Sequence, residues 1–126
     1  MKNTNKIIYW TATALLSCGM LGSGISQLLH LKDMDALITH TGYPLYVMNI
    51  IGVWKILGVI AILIPKFKLL KEWAYAGFFF LMTGALFSHL AIGDSGNAIY
   101  GPFFQTVFII LSWYFRPADR KLISTN

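Results

Sequence analysis

The sequence that decides the fold lies between two prolines and reads Pro44-LYVMNIIGVWKILGVIAILI-Pro65. Lys55 is the only charged residue in this otherwise apolar stretch. A helix needs about 20 apolar residues to cross the hydrocarbon layer of a membrane, and this stretch is long enough. Proline fits the first turn of a helix, and it ends a helix when it follows the last turn. We therefore predict a transmembrane helix over residues 44–64.

Similar stretches without charge lie on both sides of this segment. They are Ile7–Leu31, Trp73–Gly93 and Ser95–Phe115. Because the backbone in lipid must satisfy its hydrogen bonds within its own segment, each stretch is expected to be a helix. We predict a single domain over residues 1–126 that is all-α, an integral membrane four-helix bundle. Its predicted spans are residues 7–30, 44–64, 73–92 and 98–115.

Composition supports a membrane protein. Of the 126 residues, 56% are hydrophobic and 12% are charged, and the mean hydropathy is +0.63. Soluble domains carry about 25% charged residues, so an ordinary soluble enzyme and a disordered chain are both disfavoured. The single cysteine, Cys18, excludes an intrachain disulfide and a Cys-x-x-Cys pair. No phosphate-loop, His-Glu-x-x-His or Gly-x-Ser-x-Gly motif occurs, so we assign no catalytic residue and expect no catalysis by the chain alone.

Basic residues predict the orientation. With four spans, both termini and the 65–72 turn share one side of the membrane, and the opposite side carries only Lys32. Short positively charged segments remain in the cytoplasm, so the N- and C-termini are predicted to be cytoplasmic. These flanks suit the lipid bilayer and do not form a nucleic-acid surface. The basic residues on the shared side are Lys2, Lys6, Lys66, Lys68, Lys71, Arg116, Arg120 and Lys121.

The regions flanking the first span allow two further predictions. Lys2 and Lys6 before an apolar run resemble a signal peptide, and Leu15-Leu-Ser-Cys18 resembles a lipoprotein cleavage site. Because the apolar pattern continues without a polar exit region, we expect an uncleaved span. After it, residues 33–38 predict a short helix on the membrane surface, with Met34, Leu37 and Ile38 turned toward lipid.

Lys55 is the most informative polar residue. A lysine at the centre of a membrane helix costs about 2.5–3.5 kcal/mol, so its side chain should face the interior of the bundle. It is a ligand, proton or ion site, a structural amine that bonds polar groups and holds the helices together, or an amine kept neutral by desolvation. Counting depth at about 1.5 Å per residue places Lys55 level with residues 20–23, 83–84 and 105–106, with Gln105 as the best neutral acceptor. No carboxylate lies at this depth.

Other polar residues lie nearer the outer side. They include Asn49, Gln27, Ser88 and His89. The outer half of the bundle is therefore predicted to be polar and the inner half dry, with a cavity that opens outward. The candidate ligand-binding residues are Lys55, Gln105, His89, Asn49 and Trp54. Gly77 and Gly84, seven residues apart, predict a closely packed face of the third span.

The three histidines could belong to a metal or haem site. His30, His40 and His89 fall on the outer side near three aspartates, and His30 with His89 could clasp a haem. The spacing is not diagnostic, because interfacial histidines and a turn aspartate explain the same residues. We expect no metal and no intrinsic cofactor. The three aspartates are Asp33, Asp35 and Asp94.

Several blocks of sequence between Leu21 and Arg116 together resemble the DoxX-like family of small bacterial membrane proteins. The resemblance implies a four-helix membrane bundle in the bacterial cytoplasmic (inner) membrane. Some relatives are associated with quinone-linked sulfur oxidation or with redox-enzyme complexes in the membrane. The family has no agreed catalytic signature to transfer to this chain. The blocks are Gly42-Tyr-Pro-Leu-Tyr46, Ile51-Gly-Val-Trp-Lys-Ile-Leu-Gly58, Glu72-Trp-Ala-Tyr-Ala-Gly-Phe78, Gly84-Ala85, Ser88-His89 and Gly93-Asp94.

Three functional hypotheses follow. The first is a non-enzymatic subunit or binding module of a redox-associated membrane complex, which docks a quinone or another apolar molecule by its polar end on Lys55, Gln105 and His89. The second is an enzyme subunit of quinone-linked electron transfer, whose partner supplies the electron carrier. The third is a small-molecule transporter or a membrane-protein assembly factor. Expected partners are the lipid bilayer, membrane or redox proteins and a second copy of the chain.

Overall fold

The computed structural model describes residues 3–94 and 96–121. Over these residues the protein is all-α, as predicted, with five α-helices and a short 3-10 helix at Ala118–Arg120. Each of the four long helices overlaps one predicted span, and the fifth helix, α2, is short. The helices are α1 (Asn3–Leu28), α2 (Lys32–His40), α3 (Val47–Leu63), α4 (Lys68–Ala91) and α5 (Asn97–Tyr114).

Two of the helices, α1 and α4, are by length and composition able to cross a membrane. The apolar segments Val47–Leu63 and Ala98–Tyr114 are shorter. At 1.5 Å per residue, the 17 residues of α3 extend about 25 Å, a little less than the hydrocarbon thickness of a typical bilayer.

The four long helices pack in a ring. Helices α1 and α4 each pack against both α3 and α5. Between them lies a core of buried apolar side chains, while many large apolar side chains point outward, among them Ile7, Trp54 and Phe80. An apolar exterior around a packed core is typical of helices surrounded by lipid. The core residues are Leu16, Met20, Val59, Ile62, Tyr75, Phe78, Met82 and Ile109.

Proline and glycine set the ends of the helices. Ile64 is extended because it precedes Pro65, and α3 therefore ends at Leu63. At its start, Pro44 begins a turn in which the Val47 amide donates to the Pro44 carbonyl, so the helix begins three residues later than predicted. Gly93 has φ of 82°, a left-handed conformation that favours glycine in the turn after α4.

The short helix α2 forms where residues 33–38 predict one, but its apolar side faces differently. Ile38 is buried, and both Leu37 and Ile38 line a cavity between the ends of α3 and α4. The predicted orientation toward lipid is therefore wrong for Ile38, whereas the Leu37 side chain is 40% exposed. The physical reason is that an opening between two helix ends offers apolar side chains a protein surface to pack against.

The end of the bundle farthest from α2 is not dry, contrary to the prediction. Ser112 Oγ lies 2.6 Å from Thr13 Oγ1 and 2.7 Å from Tyr75 Oη, and all three side chains are buried. Lys71 is also buried and donates to backbone carbonyls at the end of α3. Hydroxyl groups can satisfy one another, so this end holds a closed polar cluster. Lys2, which the predicted orientation uses, lies outside the described residues.

Candidate ligand-binding site

A cavity of about 330 Å³ lies between α3 and α4 at the α2 end of the bundle, and we call it the capped cavity. Helix α2 and the loop after it close over the cavity through Leu37, Ile38, Thr41 and Tyr43. Its polar lining residues on the long helices are Gln27, Lys55, Ser88 and His89. Its size and its mainly apolar lining, with a few polar groups, are typical of small-molecule sites.

Lys55 faces the interior, as predicted, and is only 5% exposed. Its Nζ donates to Ser23 Oγ at 3.0 Å, which agrees with the predicted level of residues 20–23 on the first helix. No ion pair joins Lys55 to a carboxylate within the described part of the chain. An ammonium carries three donors, so Ser23 satisfies only part of its hydrogen-bonding capacity.

Two glycines bring α1 and α3 together beside Lys55. A Cβ atom on Gly24 would lie 3.2 Å from the Gly52 carbonyl oxygen, and one on Gly52 would lie 2.9 Å from the Gly24 carbonyl oxygen. Such close approach of two backbones requires small residues. The lysine stem is thereby held against α1, with its Cβ 3.2 Å from the same position on Gly24.

Gln27 is a site residue that sequence reasoning placed near the outer side but did not include among the candidates. It is buried, it lines the capped cavity, and its Oε1 has no hydrogen-bond partner within the described residues. It follows Ser23 by one helical turn on α1, and this i, i+4 spacing is the signal that could have found it. A buried acceptor without a partner is costly, which makes Gln27 a candidate for contact with a ligand.

His89 joins the cavity wall to α2 through a shared carboxylate. Its Nδ1 lies 2.7 Å from Asp94 Oδ2, and His40 Nε2 lies 2.8 Å from Asp94 Oδ1. Because a carboxylate only accepts, both ring nitrogens must donate. Hydrogen bonds from His40 and then from His89 hold the pKa of Asp94 below its usual value. Nearby, Tyr43 Oη lies 3.1 Å from Ser88 Oγ and adds a second link across the cavity.

Asn49 takes part in a separate link at the other end of α2. His30 Nε2 lies 2.7 Å from Asn49 Oδ1, and His30 Nδ1 lies 3.0 Å from Asp35 Oδ1. With both ring nitrogens facing oxygen acceptors, hydrogen bonds to Asn49 and to Asp35 raise the pKa of His30. This arrangement ties α2 to the start of α3, and it occupies the Asn49 carbonyl.

The remaining two candidates lie away from the capped cavity. Gln105 rests against α1, where its Nε2 occupies the space next to Gly19, and its Oε1 has no partner within the described residues. Trp54 is 64% exposed and lines a different groove, on the outside of the α3–α4 contact. The structure thus brings together Lys55 and His89, adds Gln27, and leaves Asn49, Gln105 and Trp54 apart from them.

The histidines and carboxylates do not gather into one cluster. Over residues 3–94 and 96–121, no group of three or more His, Cys, Asp or Glu side chains is placed to hold a metal ion. The capped cavity offers hydrogen-bonding groups, with a donor at Lys55 and an acceptor at Gln27.

Comparison with known proteins gives one result. A family model described as the DoxX-like family matches residues 11–115, which is most of the chain. No match was found among curated proteins or among solved structures. The match includes α2, α3, α4 and α5 entirely and all of the capped cavity's lining. The chain therefore belongs to the DoxX-like family of membrane-associated proteins.

Proposed function

We propose that the protein is a non-enzymatic binding subunit that holds a quinone in the capped cavity within a redox-associated membrane complex. In this proposal the four long helices span the bacterial cytoplasmic membrane, both termini are cytoplasmic, and α2 lies on the opposite side. The chain holds the quinone, and a partner membrane protein carries out the electron transfer.

The apolar exterior and the distribution of basic residues support the membrane arrangement. Helices α1 and α4 are long and apolar enough to cross, and they alternate around the ring with α3 and α5. Ile64 is extended and follows the last turn of α3, so it adds to the length of this apolar segment. Lys66 and Arg116 both follow helices that end away from α2, in agreement with a cytoplasmic, positively charged side.

One observation carries the ligand proposal, namely the Lys55 amine buried in the wall of the capped cavity with Ser23 as its only hydrogen-bond partner within the described chain. A quinone carbonyl oxygen would accept from this amine, and a quinol hydroxyl would donate to Gln27 Oε1. His89, whose Nδ1 donates to Asp94, keeps Nε2 as a further polar group. Both redox forms of the ligand therefore find a matching partner.

The test measures binding of a tail-free benzoquinone to the purified protein in mild detergent. We expect Lys55→Met to weaken the affinity about tenfold or more, because the methionine fills a similar volume without donating a hydrogen bond. Lys32→Met is the matched control, since Lys32 is exposed on α2 and does not line the cavity. The control should bind as the wild type does.

Two results would contradict the proposal. If Lys55→Met binds the quinone as tightly as the wild-type protein, the lysine is a structural amine. If the wild-type protein does not bind the quinone at all, the capped cavity has another occupant, and a transport or assembly role becomes the better hypothesis.

A further inference from the structure

A second, apolar groove of about 350 Å³ runs along the outside of the contact between α3 and α4, and we call it the seam groove. Ile51 and Leu81 line both the seam groove and the capped cavity, so the two spaces adjoin. Along α4 the seam groove extends from Leu70 to Leu81, about 16 Å at the helical rise per residue. It offers no charged side chain among its lining residues.

Glycines on α4 leave open the path that joins the seam groove to the capped cavity. A Cβ atom on Gly77 or Gly84 would meet nothing within 4 Å, so the close packing predicted for this pair is wrong. Gly77 lines the seam groove and Gly84 lines the capped cavity. On the facing helix, by contrast, Gly58 is covered by the Phe78 ring at 2.5 Å from its Cβ position. The two α4 glycines therefore leave open space on α4 both in the seam groove and in the capped cavity.

The polar end of this path lies deep in the helices. Lys55 is eight residues along α3 from Val47, about 12 Å from the start of the helix. A phospholipid headgroup is charged and stays at the membrane interface, so it does not suit a polar site at this depth. A small uncharged head that accepts from Lys55 and donates to the unpartnered Gln27 Oε1 does suit it.

We infer that the ligand is an amphiphile with a small neutral head and one long hydrocarbon tail, which binds with its head between Gln27 and Lys55 and its tail in the seam groove. This inference rests on the proposed function and adds the tail to it. Because the seam groove is on the outside of the helix ring, the ligand enters sideways from the bilayer between α3 and α4. When the tail moves from lipid into the seam groove, the binding free energy improves mainly through van der Waals packing. The tail therefore raises the affinity only modestly.

The test compares a tail-free benzoquinone with its decyl-tailed counterpart on the wild-type protein, Gly77→Leu and Gly22→Leu. We expect the wild type to prefer the tailed compound about tenfold. Gly77→Leu fills the seam groove, so it should abolish this preference while the affinity for the tail-free compound is unchanged. Gly22→Leu is the matched control, because Gly22 is also a helical glycine with open space and lines neither cavity.

The outcomes separate the inference from the proposed function. If Gly77→Leu keeps the wild-type preference, the seam groove does not hold the tail, and quinone binding at Lys55 stands alone. If Gly77→Leu loses both compounds, head and tail do not occupy separate spaces and the inference is overturned. If the wild type binds neither compound, both the inference and the proposed function are overturned.

A second measurement does not depend on the folding of a variant. A quinone with a photoreactive group at the end of its tail is cross-linked to the wild-type protein, and the labelled peptides are identified. We expect adducts on α3 and α4 at residues of the seam groove, such as Leu57, Leu70 and Gly77. Adducts confined to α1 or α5 would overturn the inference.

Discussion

Two buried lysines differ in how their amines are satisfied. Lys71 Nζ donates to the Ala61 carbonyl at 2.7 Å and to the Ile64 carbonyl, and both acceptors belong to the end of α3. The last carbonyls of a helix lack partners within the helix, and a cation there is also favoured by the helix dipole. Among the described residues, the Lys55 amine donates only to the Ser23 hydroxyl. We therefore interpret Lys71 as a structural group and Lys55 as a ligand-binding group.

This difference predicts opposite effects of the same substitution on stability. Lys71→Met leaves two helix-end carbonyls without their donor, and an unsatisfied buried polar group costs about 1–3 kcal/mol. We expect a lower thermal unfolding midpoint in detergent for Lys71→Met. Lys55→Met removes a costly buried amine and should unfold at or above the wild-type temperature. Lys68→Met, at the start of the same helix as Lys71, is the control and should behave as the wild type.

Equal unfolding temperatures for Lys71→Met and the wild type would contradict the structural role of Lys71. The sequence indicated the importance of Lys55, because this residue interrupts an apolar run. It did not indicate the role of Lys71, because this residue follows Lys66 and Lys68 in what reads as an ordinary basic turn between two apolar segments. Only the return of α4 beside the end of α3 brings its amine to those carbonyls.

At the scale of elements, α3 is anchored at its end by a second cation from a distant part of the chain. Arg120 donates to the Ile62 carbonyl at 2.9 Å and to the Leu63 carbonyl at 3.3 Å, and its guanidinium lies 5.0 Å from the centre of the Trp10 ring. The segment after α5 thus joins the ends of α1 and α3. Because such long-range contacts have no local pattern, sequence reasoning assigned Arg120 only to a charged flank.

Helix α2 is held at both ends by histidine contacts whose stability depends on pH. The pKa of His30 is raised. Its contribution to the stability of α2 is therefore complete below the usual histidine pKa and is lost as the pH rises through the raised pKa. The pKa of Asp94 is lowered, so its contribution is present above the usual aspartate value and is lost as the pH falls through the lowered pKa. Both contributions are complete together only between the usual aspartate pKa of 3.8 and the usual histidine pKa of 6.5.

We expect α2 to open more readily at about pH 8.5 than at about pH 6, because His30 loses its second proton and one of its two hydrogen bonds as the pH rises through its raised pKa. Hydrogen exchange of residues 32–40, corrected for the intrinsic rate, measures this opening. In His30→Gln, the difference in the corrected exchange rate between the two pH values should be smaller than in the wild type. An α2 that opens equally at both pH values in the wild type would contradict this role of His30.

At the scale of the whole molecule, the stretches without charge predicted where the four long helices lie, since each must be apolar along its length. They did not predict which helices approach closely. Gly24 and Gly52 bring α1 and α3 into contact, whereas Gly77 and Gly84 leave an open path beside α4. The residue type is the same, and only the neighbouring helix decides whether a glycine closes a contact or opens a groove.

The central claim is that the four long helices cross the membrane, with α2 on one side and the turn before α4 and the segment after α5 on the other. Single cysteines placed at Lys32, Lys66 and Asp119 in a Cys18→Ser background test it directly, by labelling intact cells with a membrane-impermeant maleimide. Position 32 should label from outside, and positions 66 and 119 should label only after the cells are opened. Labelling of positions 66 and 119 from different sides, or of positions 32 and 66 from the same side, would contradict the claim.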